Sequence, residues 1–241
     1  MTAPRVIDGS APLLLIADHA SNAVPPGVDL GIDSALFDDH IALDIGTAAL
    51  TEALAAALGA PALLATVSRL VVDVNRDPAL ADVIPAASDG HVIPGNLLLS
   101  PTERALRLTA IHTANHEIVA AEIARRRPAL LVSVHSFTPA RRAHPGDSRP
   151  WPVAILYNRD DRAARIGLAA LRQAGFAVGD NEPYSGRLLN YTMDRHAELA
   201  GTPYLGFEVR QDGLATPRGI AHWAAALTPV IATALAAMTG A

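Results

Sequence analysis

The sequence contains neither cysteine nor lysine among its 241 residues. Without cysteine, a disulfide, a thiol nucleophile and a cysteine-ligated zinc site are all excluded. Without lysine, Schiff-base chemistry and the lysine of a phosphate-binding P-loop are excluded as well. All 19 basic residues are therefore arginines. Any nucleophile, base or metal ligand has to come from histidine, carboxylate or hydroxyl groups.

Aromatic residues and long apolar runs are also scarce. Aromatics make up 4% of a chain that is 50% hydrophobic, so the core must consist mainly of Ala, Leu, Val and Ile. Residues 1–10 contain no apolar signal core, and no run approaches the ~20 apolar residues that span a bilayer. A net charge of −5 with scattered arginines is not the pattern of a nucleic-acid-binding surface. We therefore expect a cytoplasmic protein that binds neither membranes nor nucleic acids.

Apolar runs of strand length alternate with helical patterns along the chain. The sequence predicts strands at 12–18, 61–67, 70–74, 130–137, 151–157 and 204–209. It predicts helices at 39–59, 102–127, 160–174 and after Pro217. Continuous apolar strands separated by helices are typical of a mostly parallel sheet covered on both faces. We predict an α/β fold with three layers (αβα), a mixed, mostly parallel central sheet, and one domain over 1–241.

Polar side chains lie at the carboxyl ends of four of the predicted strands. In open α/β sheets, ligands bind beyond the carboxyl ends of the strands, so these side chains should meet at one edge. The side chains are His19, Asn75 with Arg76, His135, and Glu208 with Arg210. This edge is where the sequence predicts a functional site.

His19 and His135 are the candidate metal ligands. Neutral imidazole is the commonest protein ligand of zinc, and a catalytic site keeps one position open for water. The alternative is that each is a hydrogen-bonded histidine at a strand end. For the third ligand, the amide of Asn22 is a poor zinc ligand. Asp44, on the predicted helix, is preferred, and His40 on the same helix face could orient it.

Glu208 is the candidate general base. A metal ion lowers the pKa of bound water towards ~7, and a nearby carboxylate can take the proton and pass it to a leaving nitrogen. The alternative is a salt bridge with Arg210, two positions along the same strand. Both roles are compatible.

Asn75 and Arg76 are the candidate substrate-binding residues. The planar guanidinium matches a carboxylate through two parallel hydrogen bonds, and the amide adds a further donor. Arg69 and Arg187 are additional candidates. The alternative is that Arg76 forms a structural pair with a neighbouring aspartate.

Tyr184 and Ser185 lie in a predicted loop with small residues and hydroxyl groups. Such a loop suits substrate contact, and an ordinary Pro/Gly turn fits the same pattern equally well. We predict that both side chains contact the substrate.

His112 and His116 form an HxxxH pair with the spacing of zinc-dependent proteases. Thr113 stands where those enzymes have glutamate, and the pair lies in the middle of a predicted helix. We interpret it as a packing or surface feature. No Gly-x-Ser-x-Gly motif and no glycine-rich phosphate loop is present, which disfavours serine hydrolases and nucleotide-binding proteins.

Taken in order, several sequence blocks resemble the N-formylglutamate amidohydrolase family. They are residues 18–22, 44, 68–76, 135–136, 181–186 and 208–210. The Asp-x-Asn-Arg block is also similar to the carboxylate-binding block of aspartoacylases, in the wider zinc-carboxypeptidase-like group. The resemblance extends over residues 18–212, most of the chain.

The resemblance implies a zinc-exopeptidase-like (phosphorylase/hydrolase-like) fold and hydrolysis of N-formyl-L-glutamate to formate and L-glutamate, a late step of histidine breakdown. It implies metal at His19 and His135, and base function at Glu208. Asn75 and Arg76 would bind substrate, and Arg210 or a nearby donor would stabilise the oxyanion. The wider group has glutamate three residues after its first histidine ligand. Asn22 occupies that position here, so Asp44 is our own inference.

Two alternatives remain open. One is a metallo-carboxypeptidase or another acyl amidase with a larger substrate. The other is a relative that binds a metal or ligand without turnover. A His/His/Asp set favours zinc but also accommodates iron, cobalt or manganese. The expected partner is a small carboxylate-bearing molecule, and no sequence pattern fixes an oligomeric state.

Overall fold

A computed structural model describes residues 2–142 and 146–240. Its centre is a seven-stranded sheet in the order β1-β3-β2-β6-β9-β7-β8, and β4 and β5 form a separate hairpin. The strands are β1 (Arg5–Ile7), β2 (Leu13–Ala17), β3 (Ala62–Leu64), β4 (Ala87–Ser88), β5 (His91–Val92), β6 (Leu130–Phe137), β7 (Val153–Leu156), β8 (Val178–Asp180) and β9 (Tyr204–Arg210). The helices are α1 (Thr47–Leu58), α2 (Pro94–Leu97), α3 (Pro101–Arg107), α4 (Ala114–Arg126), α5 (Arg162–Gln173), α6 (Tyr191–His196) and α7 (Pro217–Thr239).

The four central strands β3, β2, β6 and β9 are parallel to one another. β7 is antiparallel to β9 and parallel to β8, and β1 is antiparallel to β3. The predicted mixed, mostly parallel sheet of a three-layer α/β fold is therefore confirmed. Because the central strands share one direction, their carboxyl ends lie at the same edge.

Helices cover both faces of this sheet. Every residue of β2 and of β6 is buried, which requires cover on each side. α7 packs against α1 and α5, and Val119 of α4 belongs to the same core. Within the described ranges, α7 alone is long and apolar enough to cross a membrane. Buried core helices pass the same test, and Trp223, Leu227 and Ile231 of α7 are buried in the core.

The strand predicted at 70–74 is absent. The segment is buried, but it forms turns in which the amides of Val71 and Val72 both donate to the Ser68 carbonyl. Its side chains belong to a second apolar cluster, outside the sheet, with Val83 and Ile93. A short apolar run indicates burial, and here the burial is against turns instead of strands.

The helix predicted at 39–59 begins only at Thr47. Gly46 has a left-handed φ of 80°, so the chain turns sharply before the helix starts. Asp44 lies in this turn, where its amide donates to the His19 carbonyl at 3.0 Å. The predicted helix face shared by His40 and Asp44 is therefore wrong.

The long helix predicted at 102–127 is present as α3 and α4 joined by a π-helical stretch, Leu108–Thr113. The sequence did not predict β1, β8 or α6. Each is short, at 3, 3 and 6 residues, and short elements carry little periodicity.

Candidate functional site

A pocket of about 490 Å³ opens at the sheet edge where β2, β6 and β9 end. Predicted site residues from six segments of the chain line it. They are His19, Asp44, Arg69, Asn75, Arg76, His135, Tyr184 and Glu208. Ser185, Arg187 and Arg210 are not part of its lining.

His19, Asp44 and His135 form a buried cluster. The Nδ1 atoms of both histidines face the same oxygen, Asp44 Oδ2, at 3.2 Å for His19 and 2.9 Å for His135. One ligand atom from each residue lies within 4.8 Å of the others. His135 comes from β6, His19 from just beyond β2, and Asp44 from the turn before α1. Asn22 instead binds Asp38 through its amide and lies away from this cluster.

Carboxylates also face the outer nitrogens of both rings. His19 Nε2 lies 2.7 Å from Asp73 Oδ1, and His135 Nε2 lies 3.7 Å from Asp18 Oδ2. Metal-binding histidines commonly donate their second N–H to a carboxylate, which fixes the tautomer and aims the other nitrogen at the ion. Two imidazole nitrogens and one carboxylate oxygen that converge in this way fit a divalent metal ion. The sequence reasoning missed the part played by Asp73 and Asp18.

Arg69 bridges two of these carboxylates. It donates to Asp44 Oδ1 at 3.1 Å and to Asp73 Oδ2 at 2.8 Å. Burial and Arg69 lower the pKa of His19, but Asp73 and Asp44 outweigh them and raise it to about 9. The cluster thus attracts positive charge at the position where a metal ion would bind. Arg69 lines the pocket, with its guanidinium engaged by the site's own acids.

Glu208 faces the cluster from β9. Its backbone is the register partner of His135, so the ladder between β6 and β9 places the two side by side. The side chain is 7% exposed, and Oε2 has no hydrogen-bond partner among the described residues. Burial raises the pKa of Glu208 to about 7, although His135 opposes the shift. A carboxyl group with this pKa can both accept and release a proton at neutral pH.

Arg210 does not pair with Glu208. Its guanidinium binds Asp212, with Nε 2.8 Å from Oδ1, and also donates to the carbonyl of Arg149. The salt bridge considered for Glu208 is therefore not formed. Arg210 points away from the pocket, whereas Glu208 lines it.

Asn75 and Arg76 also line the pocket, in the segment after the turns at 70–74. The Asn75 side-chain oxygen accepts from the Thr192 amide at 2.9 Å, which leaves its NH₂ group without an acceptor in the described part of the chain. Arg76 is only loosely paired, at 3.8 Å from Asp73 and 3.6 Å from Asp82. Both side chains can therefore donate to a ligand.

The HxxxH pair supports this segment. His112 donates from Nε2 to the Arg76 carbonyl at 2.9 Å, and His116 donates from Nε2 to the Val74 carbonyl at 2.8 Å. Burial lowers the pKa of both rings, so they stay neutral. His116 Nδ1 then accepts a hydrogen bond from His196 Nε2 at 2.9 Å. The pair therefore packs against the segment that holds Asn75 and Arg76.

Tyr184 reaches the pocket from the loop after β8. Its hydroxyl accepts from Arg149 Nη1 at 3.0 Å, and its ring lies under the same guanidinium. Its loop neighbours Ser185 and Arg187 are half-buried and exposed, respectively. Of these three predicted residues, Tyr184 is thus the one that the structure brings to the pocket.

Comparison with known proteins agrees with the fold and the sequence blocks. The family model for N-formylglutamate amidohydrolase matches residues 11–215. The gene product Atu2144 from Agrobacterium tumefaciens is similar in structure, with a TM-score of 0.93 and 30% identity over 99% of this chain and 97% of that one. An N-formylglutamate amidohydrolase from Ralstonia eutropha has a TM-score of 0.69 and 19% identity over 100% and 98% of the two chains. No curated protein gave a significant match.

Proposed function

Because the chain belongs to the N-formylglutamate amidohydrolase family, we propose that it hydrolyses the amide bond of an N-formyl amino acid, with N-formyl-L-glutamate as the leading substrate. The products would be formate and L-glutamate. The observation that carries the proposal is Glu208, a buried carboxyl group with a free oxygen and a pKa of about 7 beside the cluster of His19, Asp44 and His135.

His19, Asp44 and His135 would hold the metal ion, and zinc suits this ligand set best. Such an ion supplies Lewis acidity, which acidifies water and polarises a carbonyl group. Asp73 orients the His19 ring, and Arg69 keeps Asp44 and Asp73 ionised and in place.

Glu208 acts as the base and then as the acid. Its carboxylate takes a proton from the attacking water as the water oxygen bonds to the formyl carbon. The same carboxyl group then gives the proton to the amide nitrogen as the carbon–nitrogen bond breaks. Burial excludes bulk water from this group, so the proton stays available for the leaving nitrogen.

Asn75 and Arg76 bind the substrate's α-carboxylate. The loosely paired guanidinium and the free amide group supply the donors, and His112 and His116 hold their backbone. Fixing the carboxylate at Asn75 and Arg76 directs the amide towards Glu208. We place the reaction in the cytoplasm and in histidine breakdown, on the strength of the family's activity.

Formate release from purified, zinc-loaded protein tests the proposal. We expect N-formyl-L-glutamate to yield equal amounts of formate and glutamate. Glu208→Gln should lower kcat by about 100-fold or more, in the range of general acid–base contributions. A zinc-replete protein that releases no formate from any N-formyl amino acid would refute it. Cleavage of short peptides without formate release would instead favour the metallo-carboxypeptidase alternative.

A further inference from the structure

Arg149 is a buried arginine just before β7. It is 5% exposed, and its Nη1 donates to the Thr138 carbonyl and to the Tyr184 hydroxyl, both at 3.0 Å. Its guanidinium carbon stands 4.9 Å from the centre of the Tyr184 ring. These contacts fix one side of the guanidinium group.

The other side of the group has no partner among the residues that the structure describes. Within residues 2–142 and 146–240, no carboxylate pairs with Arg149, no acceptor takes Nη2, and Nε is buried without a hydrogen bond. A buried charge without an opposite charge is costly, and native proteins rarely leave one uncompensated. Arg69 in the main pocket differs, since Asp44 and Asp73 both pair with it.

The free Nε–Nη2 edge has the geometry of a carboxylate site. These two N–H groups are parallel, and they match the two oxygens of a carboxylate in a bidentate pair. A second cavity of about 420 Å³ adjoins Arg149. The carboxylates Asp147 and Glu182 also line this cavity, and Asp147 is paired with Arg141 at 2.5 Å. Arg149 forms no ion pair with a carboxylate of the described residues, so it is the cation that a ligand can neutralise.

The second cavity adjoins the main pocket. Tyr184 and Arg141 line both spaces. A substrate that extends past Tyr184 from the Glu208 side would therefore meet Arg149. Arg76 lines the main pocket, and Arg149 lines the second cavity. The two guanidinium groups can therefore bind two different carboxylates of one molecule.

We propose that the Nε–Nη2 edge of Arg149 is an anion subsite that binds the side-chain carboxylate of the substrate and so selects acidic N-formyl amino acids. This inference rests on the proposed function, because it assigns a second carboxylate to the molecule hydrolysed at Glu208. It makes Arg149 a specificity determinant, and Tyr184 the residue that positions it.

Paired substrates test the subsite. Formate release is measured with N-formyl-L-glutamate and with N-formyl-L-glutamine, which is nearly isosteric but has no side-chain charge. In Arg149→Met, kcat/KM for the glutamate substrate should fall by about 10- to 100-fold, as for a lost charged hydrogen bond, with little change for the glutamine substrate. An equal fall for both substrates, or for neither, would overturn the subsite.

Two further variants distinguish loss of the subsite from general destabilisation of the protein. Arg149→Lys keeps the charge and loses the bidentate edge, so it should recover only part of the preference for the acidic substrate. Arg126→Met removes a mostly buried arginine that is paired with Glu122 on α4, outside both cavities, and should leave the preference unchanged. If Arg149→Lys matched Arg149→Met on both substrates while Arg126→Met also lost the preference, the effect would be general destabilisation and the subsite would be wrong.

A binding measurement separates this inference from the proposed function. Glutarate, with two carboxylates, and glutaramate, with one, are titrated into zinc-loaded wild-type protein and Arg149→Met by calorimetry. We expect wild type to bind glutarate at least about tenfold more tightly than glutaramate, and the variant to bind both alike. Equal affinity of the wild type for both would refute the subsite. If N-formyl substrates are not hydrolysed but glutarate is still preferred, only the reaction is wrong.

Discussion

Asp73 illustrates how a single side chain can serve several groups in the site. One oxygen faces His19 Nε2, and the other binds Arg69. Its pKa is held well below the usual range because Arg69 and His19 outweigh the effect of burial. A permanently ionised carboxylate at this position keeps the His19 ring turned towards Asp44.

We predict that Asp73→Asn weakens metal binding. An amide cannot supply the charge that fixes the His19 tautomer, and losses of such orienting groups cost about 10- to 100-fold in affinity. Competition with a chromophoric chelator measures the zinc Kd. Asp82→Asn is the matched control, because Asp82 is exposed and only loosely paired with Arg76. An unchanged zinc Kd in Asp73→Asn would contradict the orienting role.

Glu208 makes the rate depend on pH. Its carboxyl group must be deprotonated to act as a base, and burial places its pKa at about 7. We therefore expect kcat/KM to rise with pH through the ionisation of Glu208 and then level off. A bound cation would shift this rise to lower pH. The pH profiles of formate release by wild type and Glu208→Asp, compared at fixed zinc, show whether this rise depends on Glu208. The same acid limb in both enzymes would assign it to another group.

Several site residues were predictable from the sequence because they lie at the carboxyl ends of apolar strands. His19, His135 and Glu208 are of this kind, and the parallel strands bring them to one pocket. Asp18 and Arg149 were not singled out. Their importance depends on which partners they face or lack, and sequence spacing carries no information about that.

At the level of elements, the turn before α1 positions Asp44. Gly46 has a φ of 80°, and a Cβ there would lie 2.5 Å from Leu214 Cβ. The segment predicted as helix must therefore turn at this point. Local propensity favoured a continuous helix through Asp44, whereas packing against Leu214 and the hydrogen bond to His19 enforce the turn.

We predict that Gly46→Ala destabilises the protein by about 2 kcal/mol or more, from left-handed strain together with the steric clash. Chemical denaturation measures the loss. Gly59→Ala is the matched control, because Gly59 is also left-handed at φ 61° but has nothing within 4 Å of an added Cβ. It should show the strain alone, about 1 kcal/mol. Equal losses in the two variants would mean that the contact with Leu214 does not constrain the turn.

The turns at 70–74 show the limit of hydrophobic patterns. The run of buried residues predicted a strand, yet its amides bind Ser68 and Val83 instead of a neighbouring strand. The polar residues that follow still reach the pocket, since His112 binds the Arg76 carbonyl and His116 binds the carbonyl of Val74, just before Asn75. Asn75 and Arg76 were predicted at the pocket because they would follow a strand. The structure instead holds them there through turns that contact His112 and His116.

At the level of the whole molecule, a bound metal ion would connect segments that are far apart in sequence. His19, Asp44 and His135 lie at the end of β2, in the turn before α1 and in β6. An ion bound only by the folded chain stabilises it in proportion to the logarithm of its concentration over Kd.

We predict that chelation lowers Tm and that added zinc restores it. At free zinc about 100-fold above Kd, the expected gain is about 2.7 kcal/mol. Differential scanning fluorimetry across a zinc series measures the shift. His135→Ala should abolish most of it, whereas His91→Ala serves as the control, because the half-buried His91 lies in the separate hairpin. A zinc-dependent Tm that survives in His135→Ala would place the ion elsewhere.

The strand order has a consequence for how the chain is assembled during synthesis. β9 is the last strand to be made, yet it sits between β6 and β7 in the finished sheet. Until it emerges from the ribosome, the earlier strands form two separate groups, and β6 and β7 expose unpaired edges. The three ligand candidates precede β9, and Glu208 arrives with it. The insertion that closes the sheet is therefore the same event that brings Glu208, the proposed base, to the pocket, so a nascent chain acquires this carboxylate only as it completes its fold.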